Sequence, residues 1–526
     1  MLLGIALHAA LSFVAIPWIV QDRNQHILFG VFVEAVHGFR MPLFFLLSGF
    51  FTAMLWRRRG MRALIRHRVR RILLPLLVGC VTIVPLMWGL VVAFGESKPG
   101  GDGMGQKDDV WSLSRRGDAE GVDKLVERGV DLDVADPVFG QSPLAWAVIG
   151  DQPAMVLYLI EAGADPSARF KEGSTPLHTA AFFGRVRCAD ALLAHDVDVD
   201  ALNDKYDTPL AVLEYDRQTT AWVADLVKAP FDWEAIEEGR TEIAEKLKAR
   251  GANPDTERHA VPQFTQSILS ALVEFPLFHH LWFLAFLCWL VAGFVLVVTG
   301  WQALHLPGLP MALVRAPWCW LWIVPLTLWP QLSMHGEGAR AGFGPDTSAG
   351  LLPMPHVLLY YAIFFGFGAW YFLSDDREGR LGRWWPVHLL LGGLVVFPLG
   401  AGLAHFDPEL TALVGDEGRR RWLSALAQVL YVWMLTFGLM GLARRVLSVS
   451  RPWIRYLSDA SYWLYLTHLP LVLILQQAVR DLPIPGLWKF LGILVATLVP
   501  LLFLYQVCVR YTWVGRMLNG PRERPG

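Results

Sequence analysis

Ten stretches of this chain are apolar over lengths at or near the roughly 20 residues a helix needs to cross a hydrocarbon core about 30 Å thick. They lie near 1–20, 31–55, 72–94, 279–299, 317–333, 355–373, 386–404, 422–443, 460–480 and 486–507. No other feature limits the fold as much. Inside lipid every backbone N–H and C=O must be satisfied by the chain itself, so each stretch is predicted to be a helix. Composition agrees. Charged residues make up 18% of the 526, against roughly 25% in soluble domains, and there are 23 Trp and 30 Phe. That excludes a disordered chain and argues against a wholly soluble one. The first stretch begins at Met1 with no basic region ahead of it and no A-x-A-like cleavage site, so it is expected to be a span and not a removable leader.

The net charge of −1 hides a division. Residues 107–258 hold 17 Lys+Arg and 30 Asp+Glu, a net of −13, and the remainder holds 29 and 17, a net of +12. An acidic soluble insert therefore interrupts a basic membrane protein. The expected organisation is a first membrane part at 1–94, an insert at 107–258 and a second membrane part at 279–510. The acidity of the insert argues against nucleic acid as a partner. Orientation follows from short basic loops. The segment 57–71, RRRGMRALIRHRVRR, carries eight Arg and no acid and marks the cytoplasmic side. Alternation then places Arg377, Arg380 and Arg383, the 443–459 loop, and the tail with Arg510, Arg516, Arg522 and Arg524 on that side as well. Both termini are expected inside and the insert outside. The triplet Arg419–Arg421 falls on the outer side and dissents.

Within the insert, Ser142-Pro143-Leu144, Thr175-Pro176-Leu177 and Thr208-Pro209-Leu210 recur every 33 residues, and the middle unit reads TPLHTAA. Gly163-Ala164-Asp165-Pro166 and Gly251-Ala252-Asn253-Pro254 stand where helices end. The pattern resembles ankyrin repeats, whose T-P-L-H-x-A motif has this period. Thr or Ser caps a helix, Pro sits in its first turn, and Leu with small Ala residues packs helix on helix. About four units are expected across 108–255, the first degenerate and the last stretched by an insertion around 214–240. Such an array offers a surface for a protein partner, or serves as a spacer over the membrane part.

Ionisable residues inside the apolar stretches are costly and mark candidate sites, at roughly 2.5–3.5 kcal/mol each on insertion scales. The first stretch has His8. The second has Glu34, His37 and Arg40, with His37 and Arg40 on one helix face. The fourth opens with His279 and His280, and the ninth carries Tyr462, Tyr465, Thr467 and His468. Histidines converging between helices suit a general base acting on a hydroxyl, because imidazole titrates near neutrality. The alternative for each is an imidazole satisfied by a backbone carbonyl in a packed bundle. The arginines at 57–71 serve as a topology signal and a partner for lipid headgroups, or as a clamp for a phosphate-bearing donor such as coenzyme A. Five cysteines without a C-x-x-C suggest neither zinc nor a disulfide framework. No H-E-x-x-H, P-loop or nucleophile-elbow motif is present.

Five segments carry a resemblance to a known family: MLLGIALHAAL at the start, HGFRMPLFFLLSGFF at 37–51, RVRRILLP at 68–75, HLWFL at 280–284 and YLSDASYWLYLTHLPL at 456–471. Together they resemble the acyltransferase 3 family of integral membrane acyltransferases, most closely its branch that succinylates osmoregulated periplasmic glucans. The resemblance spans both membrane parts and leaves out the repeats. It implies an all-α polytopic bundle of about ten transmembrane helices in the inner membrane. It also implies transfer of an acyl group, succinyl or acetyl, from cytoplasmic acyl-CoA to an extracytoplasmic saccharide hydroxyl. On that reading His8 is the catalytic base. Arg68 and Arg71, matching the family's R-x-x-R, hold the phosphates of acyl-CoA. His37, Arg40, Tyr465 and His468 line the substrate cavity. A thioester needs only modest activation, so neither a metal nor a bound cofactor is expected. The family's arginine, eleven positions before its histidine, would fall four positions upstream of Met1, and the coding sequence is expected to extend upstream. A second reading is a membrane-anchored scaffold or sensor with a catalytically dead membrane part, whose repeats recruit a protein. A transporter has less support, since no paired inverted repeat is evident.

Overall fold

The structure, a computed structural model, describes all residues except 15–17, 96–108, 128, 137–139, 171–172, 204–206, 228, 254–271, 274, 309, 315–316, 335–341, 377, 406–413, 416, 448–450 and 521–526. The expected topology signals Arg377, Arg522 and Arg524, the repeat residue Pro254 and the expected insert ends at 107 and 258 lie outside the described residues.

In chain order the helices are α1 (Leu2–Ala10), α2 (Ile27–Arg68), α3 (Leu74–Gly95), α4 (Val110–Arg116), α5 (Ala119–Val126), α6 (Pro143–Ile149), α7 (Pro153–Glu161), α8 (Pro176–Phe182), α9 (Val186–Leu193), α10 (Arg217–Val227) and α11 (Trp233–Ala249). They continue as α12 (Trp282–Ala303), α13 (Trp320–Leu332), α14 (Pro355–Leu373), α15 (Trp385–Leu391), α16 (Phe397–Ala404), α17 (Glu417–Val446), α18 (Pro452–Val479), α19 (Gly486–Leu504) and α20 (Trp513–Asn519). No strand occurs among the described residues. They form two compact units, the membrane unit and the insert.

Among the described residues of the membrane unit, six helical segments are long and apolar enough to cross a bilayer: Ile27–Val91, His279–Ala303, Pro355–Leu373, Trp385–Ala404, Gly418–Val446 and Gly486–Val509. The first is divided at Gly60, whose φ of 79° and ψ of 171° are not helical. A side chain there would meet nothing within 4 Å. Glycine is needed for its backbone freedom and not for space. Apart from this break, the basic segment 57–71 is helical, with Arg57, Arg58, Arg59 and Arg62 exposed.

Two expected spans are shorter than predicted. The first is helical only to Phe13. Residues 18–26 then turn back, with Asp22 N donating to Ser12 O at 2.9 Å and His26 N to Phe13 O at 3.0 Å. Those bonds satisfy carbonyls that a helix end leaves open. The fifth is α13, thirteen residues and about 20 Å long at 1.5 Å per residue.

The tightest packing brings α2 against α14. A Cβ on Gly49 would overlap the Phe365 carbonyl, and one on Gly368 would overlap the Leu46 carbonyl. The two backbones touch, as small residues permit in membrane bundles. An aromatic core fills the space beside them, with Phe364 stacked on Trp433 at 4.3 Å. The Arg419–Arg421 triplet has a structural role. Arg420 Nη1 donates to Leu403 O at 2.7 Å, and Arg421 Nη2 to Leu332 O at 3.1 Å. Two of its arginines thus close the C-terminal carbonyls of α16 and α13.

The insert stacks helix pairs α4/α5, α6/α7 and α8/α9, as the repeat reading expects. Ser142 Oγ accepts from Ala145 N at 3.3 Å. Thr175 and His178 form a reciprocal capping box, and His178 Nε2 reaches Asp207 O in the next unit at 3.0 Å. The fourth unit departs from expectation. After Thr208-Pro209-Leu210 the chain makes only a 3₁₀ turn, Ala211–Glu214, and the 214–240 insertion supplies α10 and the start of α11. Arg240 on α11, 5% exposed, ties the departure together. Its guanidinium donates to the carbonyls of Phe182, Leu213 and Tyr215 and to Thr220 Oγ1.

Candidate active site

Three histidines from separate elements meet in the membrane unit. His8 is on α1, His468 in the middle of α18, and His280 in the turn before α12. His8 Nδ1 and His468 Nε2 are 2.8 Å apart. Their ring centroids are 5.0 Å apart and their planes 15° from parallel. With nitrogens much closer than centroids, the rings meet edge to edge, the geometry of a hydrogen bond and not of a stack. His468 Nδ1 lies 2.9 Å from both Leu464 O and Tyr465 O. The His280 ring stands perpendicular to His468 at 5.7 Å. Its Nε2 donates to Leu466 O at 3.1 Å, and its Nδ1 is buried without a hydrogen-bond partner among the described residues.

The backbone around the pair is fixed by groups that sequence reasoning did not single out. Gln476, 1% exposed, donates from Nε2 to His8 O at 2.9 Å and to Ala9 O at 3.2 Å. Its Oε1 accepts from Trp18 Nε1 at 3.1 Å. The Trp18 ring lies nearly parallel to His8, 6.2 Å away. An amide inside LPLVLILQQAV was the legible signal, since a polar side chain in a span is seldom idle. Asp22 and Lys489 form an ion pair at 2.7 Å with both side chains 1% exposed, and Lys489 Nζ also donates to Arg480 O at 2.8 Å. These two residues, 467 apart in sequence, gave no joint signal.

The other predicted residues divide. Arg40 lies close enough for its charge to act on His8, His468 and Tyr465. Its Nη1 is 3.1 Å from where a Cβ on Gly4 would stand, and its Nε is buried without a partner among the described residues. It belongs with the histidines. Tyr465 is also there, but its hydroxyl donates to His280 O at 2.7 Å and locks the His280 turn to α18. His37 Nε2 donates to Pro345 O at 2.9 Å, holding the segment before α14. Both nitrogens of His468 are engaged within the protein. Arg68 precedes a π-helical turn, Val69–Leu73, and Arg71 lies within it. Arg68 Nη2 donates to Thr52 Oγ1 at 2.7 Å and leaves its Nε without a partner among the described residues. Arg71 Nη1 donates to Leu518 O at 2.9 Å, and its carbonyl accepts from Tyr462 Oη at 2.6 Å. Tyr462 and His468 are six residues apart on α18, about 9 Å along the axis. The arginine pair and the histidine pair thus face different levels of one helix.

A family model described as an acyltransferase domain matches residues 1–106 and 250–506, flanking the insert on both sides. The chain belongs to the acyltransferase 3 family. A model of ankyrin repeats, in three copies, matches residues 111–203, the three full helix pairs. Among curated proteins, glucans biosynthesis protein C of Escherichia coli strain SMS-3-5 is 34% identical over 87 residues, which are 16% of this chain and 22% of that protein. The K12 protein of the same name matches to the same extent. An E3 ubiquitin-protein ligase KEG of Arabidopsis thaliana is 35% identical over 99 residues, 18% of this chain and 6% of that protein. The chain thus spans about a fifth or less of the curated relatives it matches.

Proposed function

We propose that this acyltransferase 3 protein is a membrane O-acyltransferase that moves a succinyl or acetyl group from acyl-CoA to a hydroxyl of an extracytoplasmic glucan or other saccharide. The single observation that carries the reading is the His8–His468 pair, two imidazoles 2.8 Å apart in the bundle beside Arg40, which is half-buried with a buried Nε.

In the proposed reaction His8 removes the proton of the acceptor hydroxyl. The oxygen attacks the thioester carbonyl carbon and an ester bond forms. The carbon–sulfur bond breaks, and the thiolate takes the proton from His8 to leave as the free thiol of coenzyme A. Arg40 offsets negative charge on the carbonyl oxygen during attack. Arg68 and Arg71 hold the donor phosphates at the level of Tyr462 on α18, with Tyr465 between that level and the histidine pair. No metal or bound cofactor takes part. The protein sits in the inner membrane with both termini cytoplasmic, and the ankyrin insert outside takes a protein partner.

Mass spectrometry of cell-envelope glycans with and without the gene tests this reading. A lost ester mass of acetyl or succinyl size is expected. Identical glycan spectra in the two strains contradict it.

A further inference from the structure

We propose that His468 is a positioning residue that fixes the tautomer of His8, so that His8 presents an unprotonated Nε2 as the base. The inference rests on the acyl-transfer reading above and deepens it.

Which atoms can donate decides the tautomer. Two carbonyl oxygens, Leu464 O and Tyr465 O, lie 2.9 Å from His468 Nδ1. A carbonyl can only accept, so Nδ1 carries the proton. Both oxygens belong to residues three and four positions earlier on the same helix, so the backbone of α18 imposes this choice. His468 is 2% exposed. The groups facing it from neighbouring elements are His8 on α1, His280 before α12 and the cation of Arg40 on α2. None of these is an anion, and a second proton would bury a charge without a counter-ion. The ring is therefore neutral, and Nε2 holds a lone pair.

That lone pair is 2.8 Å from His8 Nδ1. One nitrogen of the pair has to donate, and it is His8 Nδ1. A neutral His8 then has no proton on Nε2. The helix backbone thus selects the base through two imidazoles, in the way a carbonyl or carboxylate orients a single one. Gln476 holds the carbonyls of His8 and Ala9, so the backbone of α1 that carries the His8 ring is tied to α18.

With both nitrogens engaged, His468 has none left for substrate. Truncating it changes the rate and not the binding. His468→Gln keeps an acceptor, the amide oxygen, for His8 Nδ1–H. His468→Phe keeps the volume and removes the acceptor.

The test has two arms, both on the full chain in lipid nanodiscs. In the first, nitrogen-15 NMR of labelled histidine at pH 7.5 reads the His8 tautomer, with the resonance assigned by its loss in His8→Ala. The expected result is a protonated Nδ1 and a bare Nε2 in the wild type, lost in His468→Phe. A wild-type His8 protonated on Nε2 overturns the proposal. In the second arm, acyl transfer from acetyl-CoA or succinyl-CoA to a glucan is measured. His468→Phe is expected to lower kcat about 100-fold with KM for donor and acceptor unchanged, and His468→Gln to stay within about tenfold of wild type. A His468→Phe variant with unchanged kcat, or with a raised KM as its main effect, overturns the positioning role. If the wild type transfers no acyl group, the functional reading fails, and the NMR arm still decides the tautomer.

Discussion

Replacing Lys489 by Met is expected to destabilise the membrane unit far more than loss of a surface ion pair. The ammonium sits 2.7 Å from Asp22 Oδ2 and 2.8 Å from Arg480 O, and both charged side chains are 1% exposed. Asp22 Oδ1 keeps the Asn24 N–H, at 2.9 Å. Lys489→Met therefore strands a buried carboxylate without its counter-charge and takes a donor from the Arg480 carbonyl, and breaking one side of a buried pair costs about 3–5 kcal/mol. At 1.4 kcal/mol per tenfold, the lower figure is on the order of a 100-fold drop in the folding equilibrium constant. The consequence reaches the site, because Asp22 follows Trp18 in the segment that folds back over α1. Thermal unfolding of detergent-solubilised protein, followed by size-exclusion profile, gives the readout. Lys489→Met should melt well below wild type, and Asp22→Asn combined with Lys489→Met should recover part of the loss by removing the stranded charge. A single variant costing under about 1 kcal/mol, as an exposed pair would, refutes the reasoning, as does a double variant worse than the sum of the singles.

Gly49→Leu is expected to abolish correctly folded protein, since its side chain would occupy the place of the Phe365 carbonyl; a monodisperse, normally melting variant would count against the close α2–α14 contact. Arg240→Met should destabilise the insert by about 3 kcal/mol or more, because it removes the donor from three carbonyls and a hydroxyl; limited proteolysis of the full chain should cut within 109–253 at protease levels that spare wild type. Burial lowers the basicity of His178 below that of an ordinary imidazole. The folded insert thus resists a proton that the unfolded chain accepts near pH 6.5, so stability is full above that pH and lost as pH falls below it. Proteolytic resistance of the insert should drop between pH 7.5 and 5, and equal resistance at both would contradict this.

Much of this architecture is readable from pattern alone, because lipid and repeat stacking both impose simple periodicities. The apolar stretches are helices, and the 33-residue spacing marks stacked helix pairs. The fourth repeat breaks that rule because Thr-Pro-Leu specifies only a cap and first turn. The path of the chain beyond Leu210 depends on Arg240, which reads as a surface residue until its carbonyl partners are seen. The length of α1 is hidden for a similar reason. Apolarity continues past Phe13, while the turn-back is set by hydrogen bonds to Ser12 and Phe13. At the site, the cost of a polar group in lipid marks His8, Arg40 and His468, and the three are neighbours. Their roles are less legible, since whether a nitrogen faces substrate or another side chain depends on helix rotation. The amide of Gln476 is legible as a polar group in a span, but its partners and the Asp22–Lys489 pair are not, because pairings across more than 400 residues leave no local trace.

The role of His8 as the base of an acyl transfer is tested most directly by acyl transfer from acyl-CoA to a saccharide hydroxyl by the purified protein, wild type against His8→Ala. A fall in kcat of about 10²–10⁴-fold is expected, in a variant that melts like wild type. A folded His8→Ala protein that transfers the acyl group at the wild-type rate would contradict it.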